Sequence, residues 1–245
     1  MKAMIFAAGF GTRLRPLTDT MPKALVEVDG IPVLERVIVK LKAAGFDDIV
    51  VNVHHFASQI EDFLRRKDDF GVRISISEEP VEALETGGGI KHAAPLLQGS
   101  RFLAHNVDIL SNADLGRFAS CDDPSSLATL LLSRTDKAER CLYFDDDMML
   151  AGWMNLRTGE TRSPLPDFSP EKFHRCSFCG IQMLSPELLS MTASWPDRFS
   201  IMDLYLSAPV CRRVRGVVVP DLKFVDIGSP EKLALASSMV KRGEL

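Results

Sequence analysis

Through the first hundred residues, short apolar runs alternate with stretches of helical periodicity. Lys2–Ala8 is an apolar run closed by Gly9, which predicts a strand buried on both faces. From Pro32 the spacing becomes helical: Val33, Leu34, Val37, Ile38 and Leu41 share one face, and Gly45 ends the pattern. Asp48–Val53 reads as the next strand, Phe56–Arg66 as a helix and Val72–Ser77 as a strand. Residues 9–22, with Gly9, Gly11, Pro16 and Pro22, read as a loop. Glu85–Gly89 reads as a second Gly-rich loop, followed by a helix ending before Pro95. Arg101–Val107 is a further strand, with Asp108 at its C-terminal end. Such alternation implies parallel strands joined by crossover helices.

The second half is less regular. Leu127–Leu132, Gly180–Leu184, Val214–Val219 and Phe224–Ile227 read as strands. Residues 156–176 are polar, contain Pro164, Pro166 and Pro170, and are expected to form a loop or lid. Asp145–Asp147 reads as a solvated hairpin turn. Ser229 caps a final helix to about Lys241, with Pro230 at its first position.

The 245 residues suit one large α/β domain, or one with a small appendage, and are ample for a core. A net charge of -4 disfavours general nucleic-acid binding, which needs a basic surface. No run reaches the roughly 18 apolar residues of a membrane span. The N-terminus reads as a strand and not as a secretory signal, and the five cysteines are scattered. These features predict a cytoplasmic protein with reduced thiols. Cys176 and Cys179 with His174 make only half a zinc site, so these thiols are expected to be small apolar side chains.

The string Ala8-Gly9-Phe10-Gly11-Thr12-Arg13-Leu14-Arg15-Pro16-Leu17-Thr18 carries the strongest chemistry. Glycines let a backbone approach a ligand, and successive N–H groups make an anion cradle. Arg13 and Arg15 add charge suited to phosphate, and Lys23 follows Pro22 as a further point charge. A dinucleotide fingerprint is disfavoured because Leu14 stands where a third glycine belongs and Pro16 and Pro22 break a helix. The Gly-Lys-Ser/Thr of a P-loop is absent. A plain surface loop is the remaining reading.

The string, with Pro22-Lys23, resembles the signature of the sugar-1-phosphate nucleotidylyltransferases, the pyrophosphorylase family. The resemblance runs from Lys2 to about Glu231 and is greatest to the short N-acetylmuramate-1-phosphate uridylyltransferase-like members, whose Leu-Glu-Thr-Gly-Gly-Gly string stands here as Leu84–Gly89. It implies a nucleotide-diphospho-sugar transferase type of α/β fold, with a mixed, mainly parallel sheet and helices on both faces. It also implies one domain over residues 1–245, without the left-handed β-helix domain of some members. Residues 1–110 are expected to bind nucleotide, residues 111–228 the sugar, and residues 229–241 to form the C-terminal helix.

The implied reaction moves a nucleoside monophosphate from a nucleoside triphosphate to a sugar 1-phosphate, with release of pyrophosphate. Ala8, Gly9, Gly11, Thr12 and Arg13 are then expected to hold the triphosphate, and Lys23 to bridge phosphates at the reacting centre. Several negative charges meet there, so the task is electrostatic, and Mg2+ is the expected cofactor. Asp108 ends a strand, where ligands bind in open α/β sheets. Asp226 lies in the apolar run Phe224–Ile227, with helix capping as its competing role. Both match the family's metal aspartates. Val107 replaces the usual glycine, Phe224 a tryptophan and Ser229 a threonine.

In the family the second glycine loop packs against the base, which assigns Gly87 and Gly88 to the base pocket and Glu85 to the sugar; a ligand-free turn is the competing reading. Asn106 is expected beside the substrate. Gly180 either admits the sugar ring or marks a strand bulge. The pair Glu171-Lys172 resembles one that holds sugar and phosphate in some relatives, at a different spacing. Two rival functions remain: a non-catalytic sugar-nucleotide sensor on the same fold, and a cytidylyltransferase acting on a non-sugar phosphate such as phosphocholine. Retention of Arg13, Lys23, Asp108 and Asp226 argues against the sensor. No nucleic-acid or membrane partner is expected.

Overall fold

The computed structural model describes residues 1–80, 82–134 and 138–245. In chain order the elements are β1 (Lys2–Phe6), β2 (Glu27–Val28), β3 (Ile31–Pro32), α1 (Val33–Ala43), β4 (Asp48–Val53), α2 (Ala57–Arg66), β5 (Arg73–Glu78), α3 (Glu85–Leu97), β6 (Phe102–Asn106), β7 (Ile109–Ser111) and α4 (Leu115–Ser120). They continue as β8 (Ala128–Ser133), β9 (Arg140–Phe144), β10 (Leu150–Asn155), β11 (Thr161–Arg162), β12 (His174–Leu184), α5 (Pro186–Met191), α6 (Ile201–Tyr205), β13 (Val214–Val218), β14 (Phe224–Asp226) and α7 (Pro230–Lys241).

The central sheet is mixed, in the order β11-β10-β9-β12-β6-β1-β4-β5, with β8 pairing β12 and β13. β1 lies between β4 and β6, parallel to both. Alternation along β1 sends Ala3 and Ile5 into a core with α1 and α2, and Met4 into a second core with α3, α5 and α6. Both faces of the sheet are therefore covered by helices. The chain moves outward from β1 through β4 to β5 and then returns across β1 to β6, so the strand order reverses between β1 and β6. Crevices open at the carboxyl ends of strands at such a reversal.

α1 buries the five residues of the predicted face, each contributing about 1.5–3 kcal/mol of apolar burial. Ser229 caps α7 by accepting from Lys232 N, with Pro230 in its first turn. The expected loop at Glu85–Gly89 is instead the start of α3, and Pro95 lies inside that helix. Glycine disfavours helix by about 1 kcal/mol per residue, but here the missing side chains admit a neighbouring segment against the helix, so tertiary packing overrides propensity.

β9 and β10 lie outside the strands expected from the sequence. They form an antiparallel hairpin whose turn spans Asp145–Asp147, as the charge run suggested. Residues 156–176 hold β11, a short 3-10 turn at Pro170–Lys172 and the first residues of strand β12 as well as loop. At Gly180 (φ +70°) the register between β12 and β8 shifts between Phe178 and Gln182, which is a bulge. Cys176 and Cys179 are buried, and burial pushes the Cys179 thiol up to about 12. Among the described residues no helix is long and apolar enough to cross a membrane.

Candidate active site

A cavity of about 370 Å³ opens over the carboxyl ends of β1 and β6. Its first wall is the loop after β1. Ala7 N–H donates to Asn52 O at 2.8 Å, which ties the start of the loop to β4. Gly11 is left-handed (φ +63°), and a Cβ there would lie 2.9 Å from Thr18 Cγ2 and 3.1 Å from Lys23 Cβ, so the turn requires glycine. The Thr18 hydroxyl donates to Gly11 O at 2.8 Å, and buried Leu14 anchors the turn. Ala8, Gly9, Phe10, Gly11, Thr12 and Arg13 all face the cavity. Arg15 does not; it pairs with Asp19 at 3.2 Å on the exposed side of the loop.

Lys23 reaches the cavity from the buried end of the same loop, and its ammonium donates to Asp108 Oδ2. Asp108 follows Asn106 and Val107 at the end of β6, and all three line the cavity. β14 runs antiparallel to β7 with Asp226 opposite Ile109, and Ile227 N–H donates to Asp108 O at 2.9 Å. The two aspartates, far apart in sequence, thus stand on adjoining backbones, where opposed Cα atoms lie about 4.5–5.5 Å apart.

Asp226 is half-buried. Burial would raise its carboxyl, but the hydrogen bond and charge of Lys232, the Gly228 N–H at 3.1 Å and the charge of Lys23 together hold it below the usual range. Gly228 lines the cavity, and a Cβ there would lie 2.6 Å from Asp226 Oδ1 and 2.7 Å from Arg13 Nη2. Arg13, Gly228 and Asp226 therefore meet at one corner. Among the described residues no three His, Cys, Asp or Glu side chains group as a metal site. Two carboxylates whose oxygens already hold ammonium groups suit a hard cation that takes its other ligands from phosphate and water.

The opposite wall was not read from the sequence, except for Glu85. It comprises Asn52, Glu79, Ala83, Glu85 and Thr86. Glu79 is buried, and its Oε2 accepts Leu84 N–H at 2.7 Å. Asn52 is buried on β4 and donates to Ser77 O at 3.4 Å. Neither residue stands in a motif, and a polar residue inside a predicted buried strand was the only available signal for Asn52.

Gly87 and Gly88 lie behind this wall. Their N–H groups donate to Phe199 O at 2.9 and 3.2 Å, so those donors are spent within the protein. Gly180 is off the cavity, but a Cβ there would lie 2.8 Å from Asn106 Nδ2. Glu171 and Lys172 sit in a short turn apart from the cavity, where the Glu171 carboxylate accepts from Ser169.

Residues 2–140 match the nucleotidyl transferase family. An N-acetylmuramate alpha-1-phosphate uridylyltransferase from Caulobacter vibrioides is 35% identical over 250 aligned positions, covering 98% of this chain and 97% of that protein. The chain belongs to the nucleotidyl transferase family. An N-acetylmuramate alpha-1-phosphate uridylyltransferase from Neisseria meningitidis is 51% identical over 195 positions, covering 77% of this chain and 84% of the relative. A UDP-glucose pyrophosphorylase solved with UDP-glucose shares the fold, with a TM-score of 0.79, 15% identity, and coverage of 99% of this chain and 98% of that one. The family member described here is an enzyme of nucleotidyl transfer to sugar 1-phosphates, as the glycine string predicted, rather than a sensor.

Proposed function

We propose that the enzyme transfers UMP from UTP to N-acetylmuramate α-1-phosphate in a Mg2+-dependent reaction, releasing pyrophosphate. The choice of base and sugar is supported by the two relatives named for that reaction. The observation that carries the site is the meeting of Lys23 and Asp108 with Arg13, Gly228 and Asp226 at one cavity.

In this reading the N–H groups of Ala8 to Thr12 cradle the triphosphate, and the Arg13 guanidinium binds the leaving pyrophosphate. An oxygen of the sugar phosphate attacks the α-phosphorus as the bond to pyrophosphate breaks. The Lys23 ammonium turns from Asp108 to the phosphate oxygens and holds charge at the reacting centre. Asp108 and Asp226 would hold Mg2+, which when bound neutralises phosphate charge and orients its oxygens. Asn106 and Glu85 contact the sugar side, with Gly180 leaving room beside Asn106. Residues 1–110 serve the nucleotide and residues 111–228 cover the sugar. Glu79 offers a buried acceptor to the base. The proposed location is the cytoplasm.

The test is pyrophosphate release in a matrix of the four nucleoside triphosphates against several sugar 1-phosphates, with and without Mg2+. Turnover greatest with UTP and N-acetylmuramate α-1-phosphate is expected. A clear preference for another pair would overturn the substrate assignment but keep the reaction class. Label exchange from pyrophosphate into triphosphate, with the nucleotide sugar present, should show the reverse reaction.

A further inference from the structure

Residues 195–201 lie across the start of α3, on the side away from the cavity. Phe199 O accepts from both Gly87 N and Gly88 N, and Phe199 N donates to Leu84 O at 3.2 Å. Thr86 Oγ1 accepts from Ile201 N at 3.0 Å, and Arg198 Nε stands 3.4 Å from Glu85 Oε1. Lys91 closes the far end, donating to Trp195 O at 2.7 Å and Asp197 Oδ1 at 2.8 Å. A Cβ at Gly87 would fall 2.3 Å from Phe199 Cε2, and one at Gly88 2.1 Å from Asp197 O. Both glycines are therefore required by this contact, whatever occupies the cavity.

Glu85 and Thr86, which the segment grips, line the cavity. Glu85 is left-handed (φ +63°), a conformation a non-glycine residue keeps only where its surroundings hold it. The segment runs straight into α6, where Asp203 pairs with Arg162 of β11 at 2.6 Å. One continuous set of contacts thus joins the antiparallel hairpins to the wall of the nucleotide cavity.

We infer that residues 195–201 form a positioning strap that sets Glu85 and Thr86 in the cavity wall, that Gly87 and Gly88 serve the strap rather than the base, and that Arg198, through Glu85, is a positioning residue for sugar-phosphate binding. The inference rests on the transfer reaction and not on the choice of sugar. Any triphosphate and sugar phosphate that the wild-type enzyme turns over supplies the reference rate, so failure of the sugar assignment stays distinguishable.

Gly87→Ala overpacks against the Phe199 ring and should lower kcat/KM by roughly tenfold to a hundredfold. Phe199→Ala removes the whole ring, including the Cδ2 that would lie 2.5 Å from the new Cβ, so Gly87→Ala/Phe199→Ala should return to within about threefold of Phe199→Ala alone. If Gly87 instead makes room for the base, the double variant will be no better than Gly87→Ala, and the strap reading of the glycines fails. Arg198 is exposed, and exposed ion pairs contribute little to folding, so its variants test the strap even if the buried Phe199 variants do not fold. Arg198→Ala should raise KM for the sugar phosphate about fivefold with kcat within about twofold, and Arg198→Lys should restore most of the loss. An unchanged KM, or a fall in kcat alone, would overturn the role of Arg198.

Discussion

The parallel strands β6, β1, β4 and β5 and the antiparallel strands β8 to β12 share one sheet but differ in what they offer chemistry. β1 and β4 are buried on both faces by helices, so functional polar groups gather at their carboxyl ends. The cavity lies there, and most of its lining comes from the first 110 residues. The hairpin strands β9 and β10 are as long as the parallel ones, and the two-residue β11 is exposed. From beyond β6 and its turn, Gly228 alone lines the cavity among the described residues, with Asp226 at its edge. In the proposed reaction the parallel half supplies the charge, and the later half adds Asp226 and residues 195–201 to it.

The sharpest way to break that division is at the aspartates. Asp108→Asn and Asp226→Asn keep size and hydrogen bonding but remove charge. Each should lower kcat by roughly three orders of magnitude with the fold intact by circular dichroism, because in the proposed reaction the two carboxylates hold one cation. Near-normal turnover in Asp226→Asn would leave Asp108 as the lone metal residue and Asp226 as part of the turn before α7.

Charges of the glycine loop come next. Arg13→Ala and Lys23→Ala should each lower kcat/KM by about two orders of magnitude, measured at saturating Mg2+. Their stabilities should differ. Arg13 is exposed, so its loss should leave Tm nearly unchanged, whereas Lys23 is buried and its loss strands the partly buried Asp108, costing on the order of 1 kcal/mol. Equal Tm values would mean that the Lys23–Asp108 pair carries no net stability.

A stability profile with pH probes the wall behind Asp108. Burial lowers His105 from 6.5 to about 4, outweighing its bond to Asn106 O. Between those values the unfolded chain binds the extra proton, so stability rises with pH and is lost as pH falls from 6.5 towards 4, by at most about 3 kcal/mol. His105→Gln should flatten that part of the denaturation midpoint against pH. The same slope in both proteins would mean that His105 stays protonated in the fold.

The smallest effect is expected at Arg15. It stands two residues from Arg13 but pairs with Asp19 away from the cavity. Arg15→Ala should change kcat/KM by less than about threefold. A loss as large as that of Arg13→Ala would mean that the loop rearranges to bring both guanidinium groups onto the triphosphate.

Local patterns account for what was legible. α1, β4 and α7 follow from periodicity and caps carried by consecutive residues, and the glycine loop with Arg13 and Lys23 follows from a contiguous string. The second glycine run misled about local structure, because glycines that favour a turn along the chain here admit a neighbouring segment against a helix. A ligand and a protein segment have the same requirement at Gly87 and Gly88, and Phe199 meets it from more than a hundred residues away.

The alternating elements, the faces they bury, the anion-cradling loop and the two candidate carboxylates are each written in neighbouring residues and so can be read along the chain. The packed fold adds that β14 lies beside β7 and so brings Asp226 to Asp108, that Arg13 and not Arg15 turns inward, and that Asn52 and Glu79 form the opposite wall. These are meetings of distant segments, fixed by strand order and by which side chains remain once both sheet faces are packed. No local pattern along the chain encodes such a meeting, because its energy exists only when the segments touch.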